Sequence, residues 1–335
     1  MKATPHTAPL HPWLERLPLA GGHALPGRIL PGPMEGVTGP SFCTVLTRHG
    51  LARCWITPFI RISDAVPRRA RLGERLAPFL ATGLPVVAQL MGTEAALLCH
   101  TAERLQAMGV VGIDLNCACP SRTVIGSGAG GAVLRTPQSL RQTLLALRRV
   151  CGGCGLSVKL RSGFDRADEL PAILDAVAAA SPDFVVLHYR TVRENYDAVA
   201  GGWERLARAR AVAPALTLIG SGDITTAADA LRMHAQTGVA GVAPARGLLH
   251  NPWLLDDIEC ACRGGRPALR TPQEKAGLLG EIAEAAAAAG RGGAGFLVEI
   301  ARHMFGEDSP LFSALSRAAT PAAVAEMLRQ PSPAQ

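Results

Sequence analysis

The run Val110-Val111-Gly112-Ile113-Asp114-Leu115-Asn116-Cys117-Ala118-Cys119-Pro120 decides the fold class. Its first half is a short, nearly continuous apolar stretch, the pattern of a strand buried on both faces of a parallel sheet. Pro120 ends the strand and restricts Cys119 to extended geometry. A thiol is thus delivered to a strand end. A long loop of small residues follows, with Gly126-Ser127-Gly128-Ala129-Gly130-Gly131 at its far side. Its composition predicts a flexible segment that closes over a substrate.

Runs of the same kind recur through the first 250 residues, at 27–34, 54–59, 85–91, 111–116, 156–161, 183–188, 215–220 and 239–245. Between most of them lie patterns with apolar spacing of three and four, clearest at 94–108, 137–150, 167–180, 203–212 and 226–234. These read as helices. Eight strand–helix units in this length predict an α/β fold, a (β/α)8 TIM barrel, over residues 27–262. A doubly wound sheet is the alternative, and no G-x-G-x-x-G follows the first strand to support it. Residues 268–330 change character and predict a small C-terminal helical domain, broken by glycines at 290, 292, 293 and 295. Residues 1–26, rich in Pro, His and Gly, read as a loose N-terminal extension.

The balance of residues suits a soluble globular chain: 48% hydrophobic and 18% charged over 335 residues. No run approaches the roughly 18 apolar residues of a membrane span, and no signal-peptide pattern opens the chain, so a cytoplasmic protein without a membrane partner is expected. The net charge of +7 is compatible with a polyanionic partner. Nine cysteines, an odd number, argue against a disulfide framework. Cys151-Gly152-Gly153-Cys154 and two CxC pairs lie tens of residues apart, so no metal site is expected from them.

In a barrel, chemistry gathers where the strands end. Here those ends carry Pro33-Met34-Glu35-Gly36, Arg61, Gln89, Asn116 with Cys119, Lys159 with Arg161, His188 with Arg190, Ser221-Gly222-Asp223, and Ala245-Arg246-Gly247. Six or more polar groups on one rim are hard to explain as packing. Of the 34 basic residues only Lys2, Lys159 and Lys275 are lysine, so a lysine inside a strand is conspicuous. Alternation points Lys159 and Arg161 the same way, and an inward lysine needs an anionic partner. Glycines after the seventh and eighth strands stand where barrels commonly bind phosphate. Reduced flavin mononucleotide, with a phosphate tail and an anionic ring, uses both features.

Taken in order, these motifs resemble the tRNA-dihydrouridine synthases. The resemblance runs from Pro33-Met34-Glu35-Gly36-Val37 through Gln89-Leu90-Met91-Gly92, Asp114-Leu115-Asn116-x-x-Cys119-Pro120, Val158-Lys159-Leu160-Arg161-x-Gly163 and His188-x-Arg190-Thr191 to Gly222-Asp223-Ile224 and Arg246-Gly247-x-x-x-Asn251-Pro252-Trp253. The Pro-Met-Glu-Gly start, Phe59-x-Arg61 and Thr123-Val124-x-Gly126-Ser127-Gly128 are similar to the C-type subfamily, which acts on uridine 16 of the tRNA D-loop.

The resemblance implies a flavoenzyme that reduces uridine to 5,6-dihydrouridine, with NADPH as electron donor and tRNA as partner. It implies FMN held in the barrel by Pro33, Met34, Glu35, Gln89, Lys159, Ser221, Gly222, Asp223, Ala245 and Arg246, with His188 beside flavin and uracil. Arg61, Asn116 and Arg161 are implied as tRNA contacts, Cys119 as proton donor, and residues 268–330 as the tRNA-recognition domain. The sequence departs from the family at Ala118, Ser221 and Ala245, and Gly292–Leu297 stands where the family carries a basic stretch. Arg291 and Arg302 are the basic residues nearest that gap. An FMN barrel acting on a free small molecule, like the dihydroorotate dehydrogenases, and a non-catalytic tRNA-binding protein are the alternatives.

Overall fold

Parallel strand pairing carries the chain around the greater part of a ring. The computed structural model describes residues 11–290 and 293–329. Its strands are β1 (Leu17–Pro18), β2 (Ala24–Leu25), β3 (Trp55–Ile56), β4 (Ile60–Arg61), β5 (Val86–Met91), β6 (Gly112–Cys117), β7 (Gly155–Arg161), β8 (Phe184–His188), β9 (Leu218–Ser221) and β10 (Gly241–Val242). From β3 to β10 every pairing is parallel and every neighbour is sequential, with β4 pairing the far end of β5. The β10 edge is continued by residues around Ile29, which bridges Val242. There Leu30 N–H donates to Val242 O and Gly32 N–H to Pro244 O, both at 2.8 Å. The result is the predicted eight-stranded barrel.

The second barrel strand is split into β3 and β4. Pro58 between them has no N–H to give to a ladder. Helices cover the outside, their buried leucines facing the sheet, as in Pro137–Val150 with Leu140, Leu144 and Leu147. Two helices absent from the sequence reading, Pro40–Arg48 and Arg69–Leu80, complete the ring. No helix among the described residues is long and apolar enough to cross a membrane.

The expectation of a loose extension up to residue 26 does not hold for the described part, residues 11–26. β1 and β2 form an antiparallel hairpin. Leu17, Leu19 and Leu25 pack with Ile56, Val87, Phe184, Val186 and Ile219, which start the barrel strands. Trp13 is fully buried, and its indole N–H donates to Val239 O at 3.3 Å. The hairpin therefore plugs the bottom of the barrel with apolar side chains, leaving only the other end open to polar chemistry. The first ten residues lie outside the described part.

Beyond the barrel, Pro272–Ala288, Gly295–Phe305, Pro310–Leu315 and Pro321–Arg329 form the expected helical unit. The first is fixed by Thr271 and Glu274, which cap it reciprocally, with Pro272 opening the helix. It packs on Pro321–Arg329 and on Pro40–Arg48, while Gly295–Phe305 packs on Gly247–His250 at the barrel rim.

Candidate active site

An open cavity of about 900 Å³ lies over the strand ends. Of the residues singled out from sequence, Pro33, Met34, Glu35, Asn116, Cys119, Lys159, Arg161, His188, Ser221, Gly222, Asp223, Ala245 and Arg246 all line it. Gln89 and Arg61 do not. Gln89 is buried under the floor, and Arg61 is exposed on β4 outside the cavity.

Register explains the convergence. Asn116 pairs with Lys159, Lys159 with Val186, and Val186 with Ile219 across β6 to β9. Residues two further along, Arg161, His188 and Ser221, face the same interior one layer higher. Below Asn116 the same alternation places Asp114 beside Gln89 and Ser157. Gln89 Nε2 donates to Asp114 Oδ2 at 2.8 Å, and Ser157 Oγ to Asp114 Oδ1 at 2.7 Å. Burial raises the Asp114 carboxyl to about 6 against these hydrogen bonds, so it is an ionised acceptor at neutral pH.

Cys119 is part-exposed at the cavity wall and Cys117 is fully buried in the core. The Cys119 segment is held from both sides. Asn116 Oδ1 accepts the N–H groups of Ala118 and Cys119 at 3.0 and 3.1 Å, and Cys119 O accepts Gly131 N–H at 3.0 Å. The segment after it is not one long loop: Arg122–Gly126 is an α-helical turn and Gly130–Arg135 a 3-10 helix. Its glycines serve close approach. A Cβ on Gly130 would lie 2.6 Å from Val124 and 3.0 Å from Cys119 Cβ, and one on Gly131 would lie 2.6 Å from Val192.

Cations dominate the floor. Burial, then the neighbouring Arg161, bring Lys159 down to about 8, with Asp114 pulling the other way. Arg161 is brought to about 10, mainly by burial. Its Nε donates to Ala118 O at 2.9 Å and its Nη1 to Thr191 O and Asn195 O at 2.8 and 2.6 Å. His188 Nδ1 accepts Arg190 N–H at 3.2 Å, which leaves the proton of the neutral ring on Nε2. Burial and four nearby cations hold its pKa well below the ordinary histidine value.

The far end of the cavity is an anion cradle. Backbone N–H groups of Gly222, Asp223, Ala245 and Arg246 donate to no partner among the described residues. Gly222 has φ +114°, and a Cβ there would meet the Tyr189 ring at 2.6 Å. Asp223, also at positive φ, is gripped by both Arg190 Nη atoms at 2.9 and 2.7 Å and by the Tyr189 hydroxyl. Burial pushes the Asp223 carboxyl up, but these donors and Arg246 outweigh it and hold it below the usual range. With its carboxylate so committed, the turn presents free N–H groups and Arg246 together, the donor set that phosphate requires.

Among the lining residues that sequence reading did not single out are Tyr196, His250, Glu299 and His303, and Arg302, named there only for its place near the Gly292–Leu297 gap, lines the cavity with them. Tyr196 is 51% exposed, with the Arg161 and Arg246 guanidinium carbons 5.5 and 4.7 Å from its ring centre. The other four join the helical unit to the rim: His303 Nδ1 lies 3.1 Å from His250 Nε2, and His303 Nε2 lies 3.1 Å from Glu299. Arg302 is paired with Glu299 at 2.6 Å and with Glu307 at 3.1 Å. Its charge is thus already spent on two carboxylates, and Arg291 lies outside the described residues.

The profile of the dihydrouridine synthase (Dus) family matches residues 29–305. The tRNA-dihydrouridine(16) synthase of Haemophilus influenzae is 33% identical over 234 residues, covering 68% of this chain and 75% of that protein. The probable tRNA-dihydrouridine synthase of Rhodobacter capsulatus is 32% identical over 311 residues, covering 90% and 93%. Among solved structures, TcOYE with pHBA superposes with a TM-score of 0.55 at 10% identity, covering 78% of this chain and 96% of that one. At that identity the superposition speaks for the barrel fold alone.

Proposed function

This chain belongs to the dihydrouridine synthase family, and from that premise we propose that it reduces uridine to 5,6-dihydrouridine at position 16 of tRNA. The observation that carries the reading is one cavity holding both an anion cradle and a positioned thiol. FMN is the proposed cofactor. The free N–H groups at 222–223 and 245–246, with Arg246, suit its phosphate, and the cationic floor at Lys159 suits a ring that becomes anionic on reduction. When bound and reduced by NADPH, FMN supplies the hydride for carbon 6 of uracil.

The chain's own residues do the rest. Cys119 Sγ gives its proton to carbon 5 of the uracil, the role of a general acid at a cavity wall. His188 offers a neutral Nε2–H donor toward the same space, and Lys159 a cation. Arg161 braces the Cys119 segment through Ala118 O. The uridine must leave its stack to reach this depth. Tyr196, between two guanidiniums at the mouth, has the exposed face on which a base stacks.

The test has two parts. Purified protein is expected to show a flavin absorption band in the blue. Dihydrouridine at tRNA position 16 is expected to vanish in a strain lacking the gene and return when the gene is restored. Loss and return at position 20 alone would overturn the position and keep the reaction. No change at any tRNA position, with turnover of free uracil or dihydroorotate, would replace the reading with that of a small-molecule flavoenzyme.

A further inference from the structure

The Cys119 segment is tied to a carboxylate two layers deeper in the barrel by a chain of side-chain amides. Asp114 Oδ2 accepts from Gln89 Nε2 at 2.8 Å. Gln89 Oε1 accepts from Asn116 Nδ2 at 2.8 Å. Asn116 Oδ1 accepts from Ala118 and Cys119 N–H at 3.0 and 3.1 Å. Asp114 and Gln89 are 1% exposed, so water does not substitute for the link between them.

The two ends of this chain fix its direction. An ionised carboxylate only accepts, and a backbone N–H only donates. Each amide between them has one arrangement that satisfies both neighbours. Turning Gln89 over would set its oxygen against the Asp114 carboxylate. Turning Asn116 over would set its NH2 against the Cys119 N–H. Ser157 Oγ holds the second oxygen of Asp114 at 2.7 Å, which fixes the carboxylate itself.

We propose that Asp114 is a positioning residue for the reaction: it orients the Gln89 and Asn116 amides, and through them holds the Cys119 segment at the cavity wall. The proposal rests on the reading of Cys119 as proton donor, but its structural part is measurable without substrate or cofactor.

The measurement is the iodoacetamide alkylation rate of Cys119, followed by peptide mass spectrometry. Cys99, Cys260 and Cys262, also part-exposed, report whether the fold is intact. Asp114→Leu should raise the Cys119 rate by roughly tenfold, the equivalent of about one lost hydrogen bond, with the reference cysteines unchanged. Asp114→Asn keeps an oxygen for Gln89 while its NH2 faces the Ser157 hydroxyl, which is also an acceptor, and should stay near wild type. In Asp114→Leu/Asn116→Asp the carboxylate moves to the other end of Gln89. Gln89 then turns over, the new carboxylate still accepts the Cys119 N–H, and the alkylation rate should fall back toward wild type. Asn116→Asp alone is the reference for that fall, because the new carboxylate beside the thiol also slows alkylation by its charge. Rescue means that the double variant reaches the rate of this single variant.

Should Asp114→Leu fail to fold, Gln89→Met breaks the middle of the chain and should give the same rise at Cys119. A wild-type alkylation rate in the folded single variants, or no rescue in the double variant, overturns the proposal. Dihydrouridine formation by Asp114→Leu should fall together with the altered Cys119 rate. If the wild-type protein forms no dihydrouridine, the functional reading fails, while the alkylation series still decides the positioning role.

Discussion

His188 Nδ1 accepts the backbone N–H of Arg190, two residues further along the same strand end, at 3.2 Å. The bond presents a neutral imidazole with its proton on Nε2, and burial with the charges of Arg161, Lys159, Arg190 and Arg246 keeps it neutral. His188 therefore should not titrate in the native protein at the ordinary histidine value. The unfolded chain takes up a proton there below about 6.5 and the native one does not, so the His188 contribution to stability falls as pH falls through that value. NMR titration of the ring is the check, and a midpoint near 6.5 in the native protein would contradict the finding.

Cys119→Ala should abolish dihydrouridine formation, on the order of 10²–10⁴-fold, while bound flavin and its reduction by NADPH persist. Cys117→Ala should be far milder, because that thiol is buried in the core and raised well above its ordinary value by burial and by Asp114. It acts as a small apolar side chain, and the substitution should cost stability rather than chemistry. A greater loss of turnover in Cys117→Ala than in Cys119→Ala would reverse the assignment of the acid.

Lys159→Met should weaken flavin retention, because it removes the cation from the cavity floor. It also carries a pH signature in the cofactor-free protein. The native lysine is lowered from 10.5 to about 8, so between those values the unfolded chain holds a proton that the native one lacks. Stability from this group therefore rises with pH across that window. Denaturant titrations from pH 8 to 10 should show the rise in wild type and not in Lys159→Met, and equal slopes would mean that the lysine is not desolvated.

How much of this was legible in the sequence depended on range. Lys159 and Arg161 were legible because strand alternation has period two, and the anion cradle because glycines follow two successive strand ends. The helical turns on either side of Gly126–Gly131 were not legible because a run of small residues has no periodic signal, and composition does not show that Gly130 and Gly131 let Val124, Val192 and Cys119 come close. The N-terminal hairpin was misread for a related reason: its leucines find their partners on β3, β5, β8 and β9, far along the chain. Tyr196, His250 and His303 carry no periodic signal. They reach the cavity only because a loop and the helical unit fold back over the rim.

Tyr196→Ala should separate the two halves of the reaction. The ring is exposed at the mouth, and its nearest charged groups are the guanidiniums of Arg161 and Arg246. A flanked, open aromatic face stacks a base in a sequence-tolerant way, worth about 1–3 kcal/mol by alanine substitution. The loss should appear as a fall of roughly 10- to 100-fold in kcat/KM for tRNA. Oxidation of NADPH without tRNA should be largely kept, since the backbone N–H donors of the anion cradle stand without the ring and only Arg246 packs on it. Tyr196→Phe keeps the face and should stay near wild type. Equal losses in Tyr196→Ala and Tyr196→Phe would assign the effect to the hydroxyl, and a matching loss in NADPH oxidation would place Tyr196 with the cofactor rather than with the RNA.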